Sequence, residues 1–387
     1  MPYRCVIIFS VNTPNMKIGI DARMYGSGFT GIGRYTYELI KNLAEIDTVN
    51  EYVIFLRKEG FESFTPPNPR FSKVLADFPH YSFAEQTGFL KLLNSANLDL
   101  MHFAHFNAPL LYKKPYVVTI HDLTLSFYPG KKMNNFIRRT AYHLVLSTVT
   151  KTAKKIIAVS NHTKEDIKRL YGVNDEKIEV IYNGLDQSFA EPSKTSRPDM
   201  MKRFGIQKPY FLYTGVWRDH KNIVGLIKAF AMLNQEVGNQ YNLVLTGKLN
   251  PTYNEIPDAV DKMNLRNDVQ LVGLVSDDDL RALYQYALAY VFPSFYEGFG
   301  FPPLEAMMCR TPVAASNRSA IPEVCGEGNA LYFDPASVDD IKDKMKTLAT
   351  DASVRQRLVN NGIERVKIFD WKKCAEAVLK IYNSIKF

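Results

Sequence analysis

Two glutamates with seven residues between them, Glu297 and Glu305, lie in the run Pro293-Ser294-Phe295-Tyr296-Glu297-Gly298-Phe299-Gly300-Phe301-Pro302-Pro303-Leu304-Glu305-Ala306. Carboxylates accept hydrogen bonds, so they suit ribose or sugar hydroxyls and are poor ligands for phosphate. Gly298 and Gly300 supply the opposite chemistry, since backbone N–H groups at glycines can approach a phosphate closely. The apolar run Leu288 to Phe292 ahead of them fits a buried parallel strand. Behind them Leu304, Met307 and Met308 recur at helical spacing, and Pro302 suits a first helical turn. The segment therefore reads as strand, glycine loop and helix, with the helix N-terminus open to an anion. Glu297 is expected in the loop and Glu305 about two turns into the helix, both bordering one pocket. Either glutamate alone reads equally well as a turn or solvated helix residue; the pair with its glycines points to a ligand.

A second cluster, Arg218-Asp219-His220-Lys221-Asn222, falls between a strand at Tyr210 to Thr214 and a helix at Ile223 to Met232. Two cations at a strand-to-helix turn can grip a diphosphate. His121-Asp122 closes the strand Tyr116 to Ile120, and Val272-Gly273-Leu274 closes another; carboxyl ends of parallel strands line ligand crevices. His102 and His105 have a spacing compatible with a metal, but no third ligand is evident, so packing or acceptor contacts are favoured. Asp277-Asp278-Asp279 fits a helix start, and no Asp-x-Asp metal motif occurs in a matching place. Gly26-Ser27-Gly28-Phe29-Thr30-Gly31 is a literal G-x-G-x-x-G. It does not follow its strand directly, and the next strand ends on Arg57-Lys58, not on a ribose-binding acid, which argues against a dinucleotide site.

Glu297-x7-Glu305 within E-G-F-G-F-P-P-L-E-A resembles the signature of retaining, nucleotide-sugar-dependent glycosyltransferases of family GT4, and the resemblance runs from Met16 over nearly the whole chain. It implies the GT-B fold: an α/β protein of two Rossmann-like domains, with parallel sheets facing a central cleft. It implies that Lys221, with Arg218 and the amides of Gly298, Phe299 and Gly300, binds the donor diphosphate, that Glu305 holds ribose hydroxyls, and that the backbone at Gly273 meets the base. Glu297 would contact the donor sugar and His121 its hydroxyls or the developing charge, so His121, Glu297 and Lys221 are the expected catalytic residues. Gly31-Ile32-Gly33 resembles the acceptor-side loop. No metal or other cofactor is implied, and transfer on the front face, with a donor phosphate oxygen taking the acceptor proton, is the implied mechanism. One departure is Cys309-Arg310-Thr311-Pro312, where Arg310 stands at a position usually held by glycine.

Gly19-Ile20-Asp21-Ala22-Arg23, Gly31-Ile32-Gly33-Arg34-Tyr35 and Pro115 to Leu123 resemble the mannosyltransferase B-like branch. That implies GDP-mannose as donor and a glycan or lipid-linked glycan as acceptor in polysaccharide biosynthesis. A UDP-hexose or UDP-N-acetylhexosamine donor, a sugar-nucleotide epimerase, an NAD(P)-dependent oxidoreductase and a non-catalytic binding module are the competing readings.

The 387 residues, 46% hydrophobic and 23% charged, are an ordinary globular composition, and the length favours two domains. A formal charge of +8 fits anionic partners such as nucleotide phosphates, a lipid pyrophosphate or a membrane surface. RNP1-type RNA-binding motifs are absent, and no nucleic-acid partner is expected. Cys5, Cys309, Cys325 and Cys374 are scattered, without zinc or disulfide spacing, which fits a reducing cytoplasm. No apolar run reaches the ~18 residues needed to span a bilayer. Lys131-Lys132, Arg138-Arg139 and Lys151, Lys154 and Lys155, interleaved with Phe136, Ile137, Tyr142, Leu144 and Val145, form a basic run. It suits either the inner face of the cell membrane or a helix with one buried and one solvated face. The expected domains are an extension or misassigned start at 1–15, an acceptor-side domain at 16–187, a breaker-rich linker at 188–199, a nucleotide-sugar domain at 200–368 and a returning helix at 369–387.

Overall fold

A computed structural model describes residues 15–26, 30–130, 136–247 and 253–386. Residues 1–14 of the expected extension, the centre of the first glycine loop and Lys131-Lys132 lie outside them. The strands are β1 (Lys17–Asp21), β2 (Glu51–Leu56), β3 (Phe71–Leu75), β4 (Leu100–Phe103), β5 (Tyr116–Ile120), β6 (Lys155–Ala158), β7 (Ile178–Val180), β8 (Tyr210–Thr214), β9 (Asn242–Thr246), β10 (Val269–Gly273), β11 (Ala289–Phe292), β12 (Val313–Ser316) and β13 (Leu331–Phe333). They form two sheets, ordered β3-β2-β1-β4-β5-β6-β7 and β10-β9-β8-β11-β12-β13. In the first sheet the pairs β2–β3, β1–β2, β1–β4 and β4–β5 are parallel. In the second, β9–β10, β8–β9, β8–β11, β11–β12 and β12–β13 are parallel too. The central strands β5, β8, β9, β11 and β12 are buried along their whole length, as parallel strands covered on both faces must be.

Contacts group the chain into two units. One holds the residues up to Thr119, Val145–Ile157 and Lys372–Phe387; the other holds Ile120–Leu144 and Ala158–Trp371. In the second unit Leu212, Val244, Val291 and Ala314 from neighbouring strands meet Leu226 and Phe230 of the helix Ile223–Glu236 in one core.

Local signals set the element ends. Ser160 caps the helix Asn161–Tyr171 by accepting from the Thr163 N–H, and Gly172 closes it in the left-handed conformation. Ser276 caps the helix Asp277–Gln285, whose first turn is the acidic triplet, as the sequence suggested. The middle carboxylate also fastens the chain ahead of it. Asp278 accepts from the backbone N–H groups of Lys194 and Thr195 and from the hydroxyls of Ser193 and Thr195. These bonds hold its pKa well below the usual carboxylate range. The breaker-rich stretch at 188–199 is thus tied down, and it contains the start of a short helix, Arg197–Arg203, capped by Ser196.

Candidate active site

In the second sheet the strand order reverses between β8 and β11. Crossovers on either side of such a point leave a crevice beyond the carboxyl ends of the two strands. The segments leaving those ends are 215–222 and 293–300, which carry the cationic cluster and the glycine loop. They are joined at the backbone, where the Phe295 N–H donates to the His220 carbonyl at 2.7 Å. Lys221 closes a 3-10 turn, Asp219–Lys221, and Asn222 in the left-handed conformation then opens the helix Ile223–Glu236.

Lys221 Nζ lies 2.6 Å from Glu297 Oε1, with the two side chains 17% and 13% exposed. Glu297 is further fixed through its N–H, which donates to Ser319 Oγ at 2.9 Å. Glu305 sits on the helix Phe301–Met308, whose first turn carries proline as expected. It is the fifth residue of that helix, so it lies just over one turn in and not two. It is 7% exposed and accepts from the Tyr284 hydroxyl at 3.2 Å. Arg218 is exposed at the head of the 3-10 turn.

The two loop glycines are required for different reasons. A Cβ on Gly298 would overlap the His121 carbonyl oxygen and crowd Asp122, so this position packs directly on the His121–Asp122 backbone. Gly300 has φ +112° and caps the following helix, a conformation costly for any residue with a Cβ. Around Gly300 a Cβ would meet no described atom within 4 Å, so there is open space at the helix N-terminus. On the other side of the switch, Gly273 (φ +70°) accepts from the Gly247 N–H and the Thr246 hydroxyl, and the Gly215 N–H donates to Thr246. Main-chain hydrogen bonds and the Thr246 hydroxyl hold these strand ends together. His121, Arg218, Lys221, Gly273, Glu297, Gly298, Phe299, Gly300 and Glu305 all belong to the second unit.

Family patterns match both halves of the chain: Glycosyltransferase Family 4 over residues 29–189 and Glycosyl transferases group 1 over residues 196–365. The O-antigen chain mannosyltransferase RfbU of Salmonella typhimurium is 30% identical over 365 residues, 92% of this chain and 97% of that protein. This chain belongs to the family 4 glycosyltransferases. The O-antigen chain mannosyltransferase B of Escherichia coli is 28% identical over 383 residues, covering 95% of this chain and all of that one. Among solved structures, sucrose-phosphate synthase from Thermosynechococcus elongatus superposes with TM-score 0.77 at 20% identity, covering 95% and 98% of the two chains. Anabaena HepE in complex with UDP and glucose gives 0.76 at 18%, covering 96% and 100%. These likenesses establish the GT-B fold, and the family establishes the enzyme class as glycosyltransferase.

The remaining expectations concern residues around the site. Gly31 and Gly33 lie at the helix entrance, in the first turn of the helix Thr30–Ile46, which begins three residues ahead of the expected start at Gly33; that turn has N–H groups without intrahelical acceptors. His102 is fully buried, with Nδ1 2.5 Å from the Tyr382 hydroxyl and Nε2 2.8 Å from Thr119 Oγ1. Both ring nitrogens are occupied, so it packs, and no group of three metal-ligating side chains occurs among the described residues. On the helix Phe136–Thr152, Phe136 and Ile137 are 81% and 75% exposed while Tyr142 and Leu146 are buried. Among the described residues no helix is long and apolar enough to cross a membrane.

Sequence reading gave no role to His220 or Ser319, and it saw Ser160 only as a cap of the helix Asn161–Tyr171. His220 is buried, and desolvation, reinforced by Lys221 and Arg218, lowers its pKa to about 3. A histidine between two cations and next to an apolar strand is the signal that could have found it.

Proposed function

We propose that this chain is a retaining mannosyltransferase that moves mannose from GDP-mannose to a glycan or lipid-linked glycan acceptor in polysaccharide biosynthesis. The supporting observation is the end-to-end similarity to two O-antigen mannosyltransferases. In this reading the donor diphosphate competes with Glu297 for Lys221. Phosphate oxygens carry more charge than one carboxylate, so Lys221 turns to them together with Arg218 and the amides of Gly298, Phe299 and Gly300. Glu297, released from its ion pair, accepts from hydroxyls of the donor sugar, and Glu305 accepts from those of the ribose. The base lies along the main-chain rim at Gly273. His121, held at the end of β5 against Gly298, faces the sugar hydroxyls or the charge that develops as the glycosidic bond breaks.

Fixed cations and amides stabilise the leaving diphosphate without a metal, in the way preorganised donors stabilise an oxyanion. The N–H groups at the Gly31–Gly33 helix start serve the acceptor. Its hydroxyl loses a proton to a donor phosphate oxygen as it attacks on the same face, which gives retention. The enzyme works in the cytoplasm, in peripheral contact with the inner face of the membrane.

A UDP-hexose donor is the second reading, favoured by the UDP and UDP-glucose complexes of HepE. Incubating the purified enzyme separately with GDP-mannose, UDP-glucose and UDP-N-acetylglucosamine, and measuring binding and slow hydrolysis, separates the two. Preference for a UDP-sugar removes the mannosyl assignment and leaves glycosyl transfer standing.

A further inference from the structure

The carbonyl of Gly298 receives two hydroxyl donors from the start of the helix Asn161–Tyr171. Ser160 Oγ lies at 2.7 Å and Thr163 Oγ1 at 3.3 Å, and both residues are fully buried. The same helix takes a second hold two residues earlier, where the Tyr296 hydroxyl donates to Asp166 Oδ2 at 2.7 Å. The helix is itself anchored: Glu323 accepts from the backbone N–H groups of Asn161 and His162 and from the Tyr182 hydroxyl at 2.7–2.9 Å. Both neighbours of Glu297 are therefore clamped to one rigid element.

The peptide bond converts this clamp into an orientation. In a planar trans peptide the N–H of one residue points opposite to the carbonyl of the residue before it. Fixing the Gly298 carbonyl toward Ser160 and Thr163 aims the Phe299 N–H away from that helix. Among the described residues the Phe299 N–H has no acceptor, and the next residue, Gly300, borders open space. An N–H held this way before a ligand arrives needs no reorganisation when negative charge appears in front of it.

We propose that Ser160 and Thr163 are positioning residues for the leaving diphosphate, acting through the Gly298–Phe299 peptide. The proposal rests on the reading that the glycine loop holds a nucleoside diphosphate. Neither hydroxyl touches the donor; they set the direction of an amide that does.

The test uses Thr163→Val, which keeps side-chain shape and the Ser160 cap, and Ser160→Gly, because glycine is among the least damaging replacements at a helix cap. Binding is measured by calorimetry with GDP and UDP, and by competition with guanosine and uridine as phosphate-free probes. Each variant is expected to bind whichever diphosphate the parent enzyme binds about 5- to 30-fold more weakly, somewhat less than the full worth of a hydrogen bond to a charged group because the amide is misaimed and not removed. The corresponding nucleoside should bind within twofold of the parent, kcat should fall by more than the acceptor KM changes, and Thr163→Ser should restore both. Equal loss for diphosphate and nucleoside, or no loss for either, overturns the proposal. If the parent enzyme binds neither GDP nor UDP, the nucleotide-sugar reading itself fails, and that outcome is visible before any variant is made.

Discussion

Lys221 and Glu297 neutralise each other across 2.6 Å in a site largely withdrawn from solvent. Each is the other's charged partner. Removing the lysine leaves a half-buried carboxylate without its cation, which is more damaging than losing an exposed ion pair. Lys221→Ala should lower kcat by about 10²–10³, the usual effect of losing one preorganised donor to developing negative charge. EDTA should leave the parent enzyme's rate unchanged. Strict dependence on an added divalent cation would instead sink the metal-free account of leaving-group stabilisation.

Glu305→Gln preserves side-chain size at a buried position and removes the charge. Donor affinity should fall about tenfold to a hundredfold, as expected for hydrogen bonds to an ionised acceptor worth roughly 1.5–3 kcal/mol. Calorimetry with the donor reads this directly, and a melting curve checks the fold. Unchanged affinity in a folded variant takes Glu305 out of the donor site.

His220 gives stability a pH dependence whose sign is fixed. Its folded pKa is about 3, below the ordinary value near 6.5, because burial disfavours the charged ring. Between those values the unfolded chain binds a proton that the folded chain refuses, so stability is lost as pH falls from about 6.5 toward 3. The slope is about 1.4 kcal/mol per pH unit for each such histidine. His80, lowered to about 4 mainly by burial, acts in the same direction. Urea unfolding between pH 7 and 4.5 should show the decline, and His220→Gln should make it shallower. An identical slope in the variant would show that His220 is accessible to protons in the folded enzyme.

Arg310 occupies the left-handed conformation, φ +61°, at the end of the helix Phe301–Met308. Glycine adopts that conformation without penalty, and the exposed arginine stands there at a cost. Arg310→Gly should stabilise the enzyme by about 0.5–1 kcal/mol, since relief of the left-handed penalty exceeds glycine's extra unfolded-state entropy. A lower urea midpoint in the variant would mean that the arginine side chain contributes more than its backbone costs.

The sequence carried the fold well wherever hydrophobic runs were fully buried. β5 and β8 span the same residues as the buried runs Tyr116 to Ile120 and Tyr210 to Thr214. β3 escaped notice because its sequence Phe71-Ser72-Lys73-Val74-Leu75 buries only Phe71, as an edge strand can. The segment Ser82 to Leu93 is helical in pattern but contains a π-helical turn at Glu85–Phe89, a distinction periodicity over so few residues does not make. At the site, the E-x7-E pair and the cationic turn were legible because their residue types are unusual and adjacent in the chain. The demand for glycine at 298 was not, because it is set by the carbonyl of His121. Ser160 and Thr163 were equally silent, since what they hold is a loop far along the sequence. Contacts of long sequence separation leave no local pattern to read.

The rim made by Gly215, Thr246, Gly247 and Gly273 bears on how such an enzyme can diversify. In the proposed reading the base meets a wall whose path is fixed by main-chain hydrogen bonds and the Thr246 hydroxyl, so single substitutions there can break the wall but hardly retune it. A change of nucleotide would come instead through exchange of whole strand-end segments, carrying altered backbone paths with them. Recombination between relatives, more than point mutation, is then the route by which this scaffold would acquire a new donor.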